Sequence, residues 1–267
     1  MTGVQTCALP ILELDEFDDL VELNGRAGLR ALTTGAPRAA LRLLRLASSL
    51  GQQRPATAPP APSSLAVEFE IRLGEALGLT GDYAEADEVF ARVIAGTTEL
   101  EPRQLAMLAI KRHWLLMLSG EPARGLEFGC MVLRRLGFAL PDTLGNAAAA
   151  QAMLRLVVKL RTRGIAKLRE RAPMTDERAK AAMDVCVSLG TTAYLVSPMA
   201  FVVLVEREVE HMRRFGDHPA AGMVMAQAGL LLSAGLGRRA QAAQLIELAE
   251  SRASERGRGP YEHRRRM

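Results

Sequence analysis

Four glycine-centred segments with one shared spacing constrain this chain more than any other feature. GAPRAA from Gly35, GDYAEA from Gly81, GEPARG from Gly120 and GRRAQA from Gly237 each lie between two stretches with helical apolar spacing. In each, a small residue follows the glycine by five positions: Ala40, Ala86, Gly125 and Ala242. Glycine supplies the positive φ that ends one helix, and the small residue lets the next helix close on the first. Repeated hairpins of this kind predict an all-α chain, an α-solenoid of about 11–12 antiparallel helices whose role is to present surface.

Composition agrees. Ala, Leu and Arg dominate and aromatics make up only 4%, while alternating Val/Ile/Thr runs that would argue for a sheet do not occur. Thirty arginines against four lysines look like the mark of a high-GC genome, and a net charge of +4 is too modest to name a partner.

The ends read differently from the middle. Residues 1–11, MTGVQTCALPI, resemble the translation of a common sequencing adapter. They lack the basic start of a secretory signal, and Pro10 breaks the apolar run. On that reading Met1 is not the native start and the chain is a segment of a longer protein. At the other end, residues 251–267 carry Arg252, Arg256, Arg258, Arg264, Arg265 and Arg266. Such a run is able to bind nucleic acid or an anionic membrane, but only Tyr261 is interleaved with it, so it reads as a frayed or truncated tail and nucleic acid is not an expected partner. With Cys7 set aside, Cys130 and Cys186 sit in apolar helical stretches, which predicts no disulfide framework and a cytoplasmic location. The longest apolar run, 193–205, is interrupted by Ser197 and Pro198 and is too short to span a bilayer, so no membrane partner is expected.

Between the ends, residues 12–50 read as a first hairpin, with helices over 13–33 and 37–50. The first starts acidic; the second places Ala40, Leu41, Leu44 and Ala47 on one stripe. Residues 51–64, with Pro55, Pro59, Pro60 and Pro62, form a linker or insertion. Residues 65–250 then read as one superhelix. A third hairpin spans 102–118 and 122–136, with Gly125 and Gly129 in place of larger packing residues. Further helices cover 143–161, about 177–195 after a Thr175 or Asp176 cap, and 198–214; residues 164–171 read as a short basic turn and 217–250 as a final hairpin around Gly237.

The second hairpin resembles the tetratricopeptide pattern. Leu73, Gly74 and Leu77 fall on its first helix, Gly81, Asp82 and Tyr83 form the turn, and Ala86, Phe90 and Val93 line its second helix. Asp82 reads as the cap of that second helix. The pattern places Glu68, Ile71 and Glu75 toward a concave binding face. Spacings of 46 and 39 residues between successive turn glycines predict an irregular array.

No chemistry-bearing motif accompanies this scaffold. There is no Gly-Lys dipeptide for a phosphate-binding loop, no HRD or DFG, no HExxH and no CxxC, so no catalytic, cofactor or metal site is expected. His113 beside Trp114 reads as a structural pair on a helix; Met199, Met212, Met223 and Met225 read as core filling. Glu206, Glu208 and Glu210 occupy alternate helical positions, which argues against their converging on one face.

The order of segments carries a further resemblance. LNGRAGLRA from Leu23, the Gly81 turn, VLRRLGFALP from Val132, APMTD from Ala172 and YLVSP from Tyr194 together resemble the helical region of large bacterial multidomain signalling proteins. In that family a Ser/Thr protein kinase domain is followed by an AAA/STAND-type ATPase, then this region, then commonly GAF and histidine kinase domains. The resemblance covers residues 20–250 and implies a non-catalytic scaffold or sensor, whose partners are those cis domains or a protein or small effector. None of the family's catalytic motifs has a matching position here. The alternative it leaves open is the effector arm of an ATP-dependent transcription activator.

Overall fold

In the computed structural model of the chain, which describes residues 14–53, 63–96 and 100–255, all four turn glycines take positive φ: 76° at Gly35, 96° at Gly81, 84° at Gly120 and 65° at Gly237. At the first three the backbone closes the preceding helix in the same way. The glycine N–H donates three residues back, and the next N–H reaches five back: Ala36 to Ala31 at 2.9 Å, Asp82 to Leu77 at 3.0 Å, Glu121 to Leu116 at 2.8 Å. This is the Schellman arrangement, which satisfies carbonyls that the helix end leaves open. At Gly237 the reach is one residue longer, Arg238 to Leu232 at 2.9 Å, because a π turn, Leu231–Gly235, precedes it. No side chain would collide with anything at Gly81, where nothing lies within 4 Å of an added Cβ. Gly81→Ala therefore tests the positive φ alone, and we expect a loss of roughly 1 kcal/mol in urea unfolding; no measurable loss would contradict that reading.

Twelve α-helices are found among the described residues: α1 Leu14–Thr33, α2 Pro37–Gln52, α3 Ser63–Thr80, α4 Tyr83–Gly96, α5 Pro102–Leu118, α6 Pro122–Arg135, α7 Asn146–Lys159, α8 Thr162–Arg169, α9 Glu177–Val196, α10 Pro198–Phe215, α11 Ala221–Leu230 and α12 Arg239–Glu255. The all-α helical-repeat class expected from the sequence is the one observed. No described helix is long and apolar enough to cross a membrane. Residues 1–11 and Arg256 onward lie outside the described residues, as do residues 54–62 of the Pro-rich stretch.

The chain divides into two units, residues 1–104 and 105–267. That division differs from the expected one. The Pro-rich stretch does not set the first hairpin apart, because α2 packs on α3 and α1 also reaches α3. A Cβ on Gly25 of α1 would lie 2.2 Å from the Phe69 ring of α3, so only glycine allows this approach. Arg45 of α2 also meets Glu85 of α4 at 2.6 Å. Within the second hairpin Leu77, Ala86 and Phe90 are fully buried, Leu73 nearly so, and Gly74 makes room for Phe90, whose ring lies 2.6 Å from where a Cβ would stand. Tyr83 is partly exposed at the turn. Asp82 occupies the N-cap position; its carbonyl accepts from Ala86 and its carboxylate accepts from the Thr80 hydroxyl at 3.2 Å.

In the second unit, Gly125 and Gly129 of α6 are filled from neighbouring helices. His113 of α5 lies against Gly125, and Leu189 of α9 against Gly129. α7 packs on α10 through Ala149, Ala152, Val202 and Val203. Residues 164–171, expected to be a short basic turn, fall largely within the helix α8, Thr162–Arg169. Asp176 caps α9, accepting from Ala179 N–H at 2.8 Å, and Ser197 caps α10 in the same manner at 3.3 Å. The loop before α9 is pinned by a two-residue parallel bridge between Pro173 and Asp217. α12 runs to Glu255, so Arg252 is not part of a loose tail: it donates to the Leu168 and Arg169 carbonyls at 3.3 and 2.7 Å, and meets Asp217 at 3.4 Å.

Candidate functional site

The face predicted on the second hairpin does not exist as read. Ile71 is 0% exposed, and Glu68 and Glu75 are partly buried around Arg72, at 3.9 and 2.8 Å. α3 packs against α1, α2 and α4, so its buried surface takes in Ile71. An aliphatic residue on a helix with three neighbours goes to the core.

A cleft of about 430 Å³ lies instead in the second unit, lined by Ile110 and Trp114 of α5, Asp184, Val187, Ser188 and Thr191 of α9, His218 to Ala220, and Met223 of α11. Its walls follow from helical register. On α9, residues 184, 187, 188 and 191 share one stripe, while the opposite stripe, with Ala182, Val185, Cys186 and Leu189, is core. On α5 the same logic turns Trp114 outward and His113 inward: Trp114 is 46% exposed and His113 0%. The two rings remain in edge contact, centroids 5.7 Å apart. The methionines split likewise. Met212 and Met225 are core, whereas Met223, 55% exposed, and Met199 are outward. Core filling thus holds for only half of them, because local apolarity says nothing about which neighbour arrives.

One charged group stands in the cleft wall, Asp184, whose side chain is 55% exposed. Behind it sits the buried imidazole of His218, its Nε2 3.3 Å from Asp184 Oδ1. The backbone N–H of Ala220 donates to His218 Nδ1 at 3.2 Å. With Nδ1 taken by that N–H, Nε2 is the ring nitrogen that faces the carboxylate. The imidazole thus backs the carboxylate from the protein side, while the carboxylate itself stays half-exposed to the cleft.

The three glutamates of α10 divide in a way their alternation concealed. Glu206 and Glu210, four residues apart, do share a face: Lys159 Nζ lies 2.6 Å from one and 2.7 Å from the other. Glu206 is fully buried and also meets Arg155 and Arg207, at 3.2 and 3.4 Å. Glu208 points into the core, fully buried, with neither carboxyl oxygen in a hydrogen bond. Burial pushes its carboxyl up to about 8, with the neighbouring Cys186 thiol acting in the opposite direction. Burial likewise raises the Cys130 thiol to about 11 and Cys186 well above the ordinary range. Both cysteines are free and buried, which makes them inert packing groups. His113 is held below its ordinary range by burial, with the backbone of Gly125 and Ser188 acting the other way; its Nε2 lies 3.0 Å from the Thr192 hydroxyl. Among the described residues no three His, Cys, Asp or Glu side chains are grouped to hold a metal ion.

The chain matches no protein-family model and no curated protein. Among solved structures it is similar to BtubC (BKLC) from P. vanneervenii, at 17% identity and a TM-score of 0.58, over 93% of this chain and 85% of that one. At that identity the likeness is one of fold.

Proposed function

We propose that this chain is a non-catalytic helical-repeat scaffold or sensor segment of a bacterial signal-transduction ATPase and protein kinase, acting in the cytoplasm by binding a cis domain or an effector protein. The observation that carries the binding role is the cleft between α5, α9 and α11, which holds an exposed tryptophan and an exposed methionine beside a carboxylate. Exposed aromatic and thioether groups in a concavity are costly to leave in water and are the usual anchors of a contact surface. Occupancy of such a surface is able to bias an attached switch only through a difference in affinity between its two states.

The test has two steps. Genomic sequence on both sides of this segment is expected to encode ATPase and kinase domains; a locus without them sinks the parentage. The neighbouring ATPase domain, purified and titrated with this chain, is then expected to bind it, and Trp114→Ala with Met223→Ala to weaken that binding roughly tenfold or more. Full binding by the double variant would move the contact surface elsewhere.

A further inference from the structure

We propose that the α5/α9/α11 cleft takes an arginine side chain from an extended segment of the partner protein, with the guanidinium between Asp184 and Trp114. The inference rests on the cleft being the contact surface, and adds what it recognises. Asp184 is the charged group in the lining, with His218 Nε2 3.3 Å behind its carboxylate and His218 Nδ1 occupied by the Ala220 N–H. Lys180, one turn earlier on α9, is tied to Glu177 at 2.6 Å and so does not answer that carboxylate. A negative charge beside an exposed indole suits a planar, weakly hydrated cation that pairs with carboxylate and stacks on an aromatic face, and arginine does both better than lysine.

The flanks argue for a chain segment over a free cation. Helical register continues the cleft stripes into exposed leucines: Leu118 follows Trp114 by four positions on α5, Leu195 follows Thr191 by four on α9, and Leu230 follows Met223 by seven on α11. They are 58%, 67% and 50% exposed. Three outward leucines in register with the cleft stripes offer apolar surface to residues that flank the arginine.

The chain's single tryptophan is Trp114, so its fluorescence reads the cleft directly. We expect acetyl-Leu-Arg-Leu-amide to give a saturable change, weakened by added salt, with acetyl-Leu-norleucine-Leu-amide and the glutamate counterpart at least ~10-fold weaker. Asp184→Asn should lose about tenfold for the arginine peptide and nothing for the norleucine one. Thr191→Arg, which leaves Asp184 and its support in place but supplies a competing cation, should do the same; it keeps the test valid if Asp184→Asn perturbs the fold. Equal binding of the arginine and norleucine peptides, or indifference to both substitutions, overturns the proposal. Acetylarginine amide binding as tightly as the tripeptide would also overturn it, by pointing to a free cation. If the ATPase domain binds in a Trp114-dependent way but the arginine peptide does not, this inference falls and the contact surface stands.

Discussion

Glu208→Gln is expected to leave stability near that of the parent at pH 4.5 and to exceed it by on the order of 4–5 kcal/mol at pH 8. The carboxyl ionises near its ordinary value, 4.5, in the unfolded chain but near 8 in the folded one. Between those two values the folded state holds a proton that the unfolded state has released. Stability therefore falls as pH rises through that window and levels off above about 8. Glutamine removes the titration while keeping the shape. Full burial of Glu208 means that no solvent screening reduces the effect.

The histidines act in the opposite sense. Burial holds His113 and His211 below 6.5, so the stability each contributes is present above 6.5 and is lost as pH falls toward its folded value. His211 is fixed by its Nε2 contact with the Ala179 carbonyl at 3.0 Å and by the rings of Phe138 and Phe215. These contributions are common to parent and variant, so the difference between the two urea-unfolding curves across pH isolates Glu208. A difference independent of pH from 5 to 8 would show that the carboxyl is ionised in the folded chain.

Gly216→Ala is expected to cost on the order of 3 kcal/mol or more, with the damage centred on the loop before α9. Gly216 has φ 114° and ψ −173°, a region open essentially to glycine alone. An added Cβ would also stand 2.6 Å from the Ala172 carbonyl and 3.0 Å from the Met174 nitrogen. Those atoms form the bridge, in which Asp217 N–H donates to Ala172 at 2.7 Å and Met174 N–H to Asp217 at 2.8 Å. The loop has no room to retreat without breaking both bonds. Hydrogen exchange should show lost protection at the Asp217 and Met174 amides, and a variant that unfolds within 1 kcal/mol of the parent would refute the account.

These two sites were legible to different degrees. A glycine just past a helix with arginines in its last turn is visible in the sequence, but its conformation is set by a segment about forty residues earlier that docks against it. Glu208 was visible as a polar residue among valines, and its alternation with Glu206 and Glu210 was read only as divergence. That Lys159 and Arg155 would come from α7 to meet one glutamate, while the core closed over the next, depends on contacts with no local signature.

What the sequence determined by itself is the local grammar: all-α class, the four helix-ending glycines, the small residues behind them, and the extent of α5, α6 and α9. Each depends on φ preferences and a period of 3.6 residues, which act within a few positions. What only the tertiary structure decided is which outward stripe becomes a site. Ile71 is buried because α3 has three neighbours; Trp114, one position from the buried His113, stands in a cleft because α9 and α11 leave its face open. Burial is a property of what packs against a helix, and that is settled by residues distant in the chain.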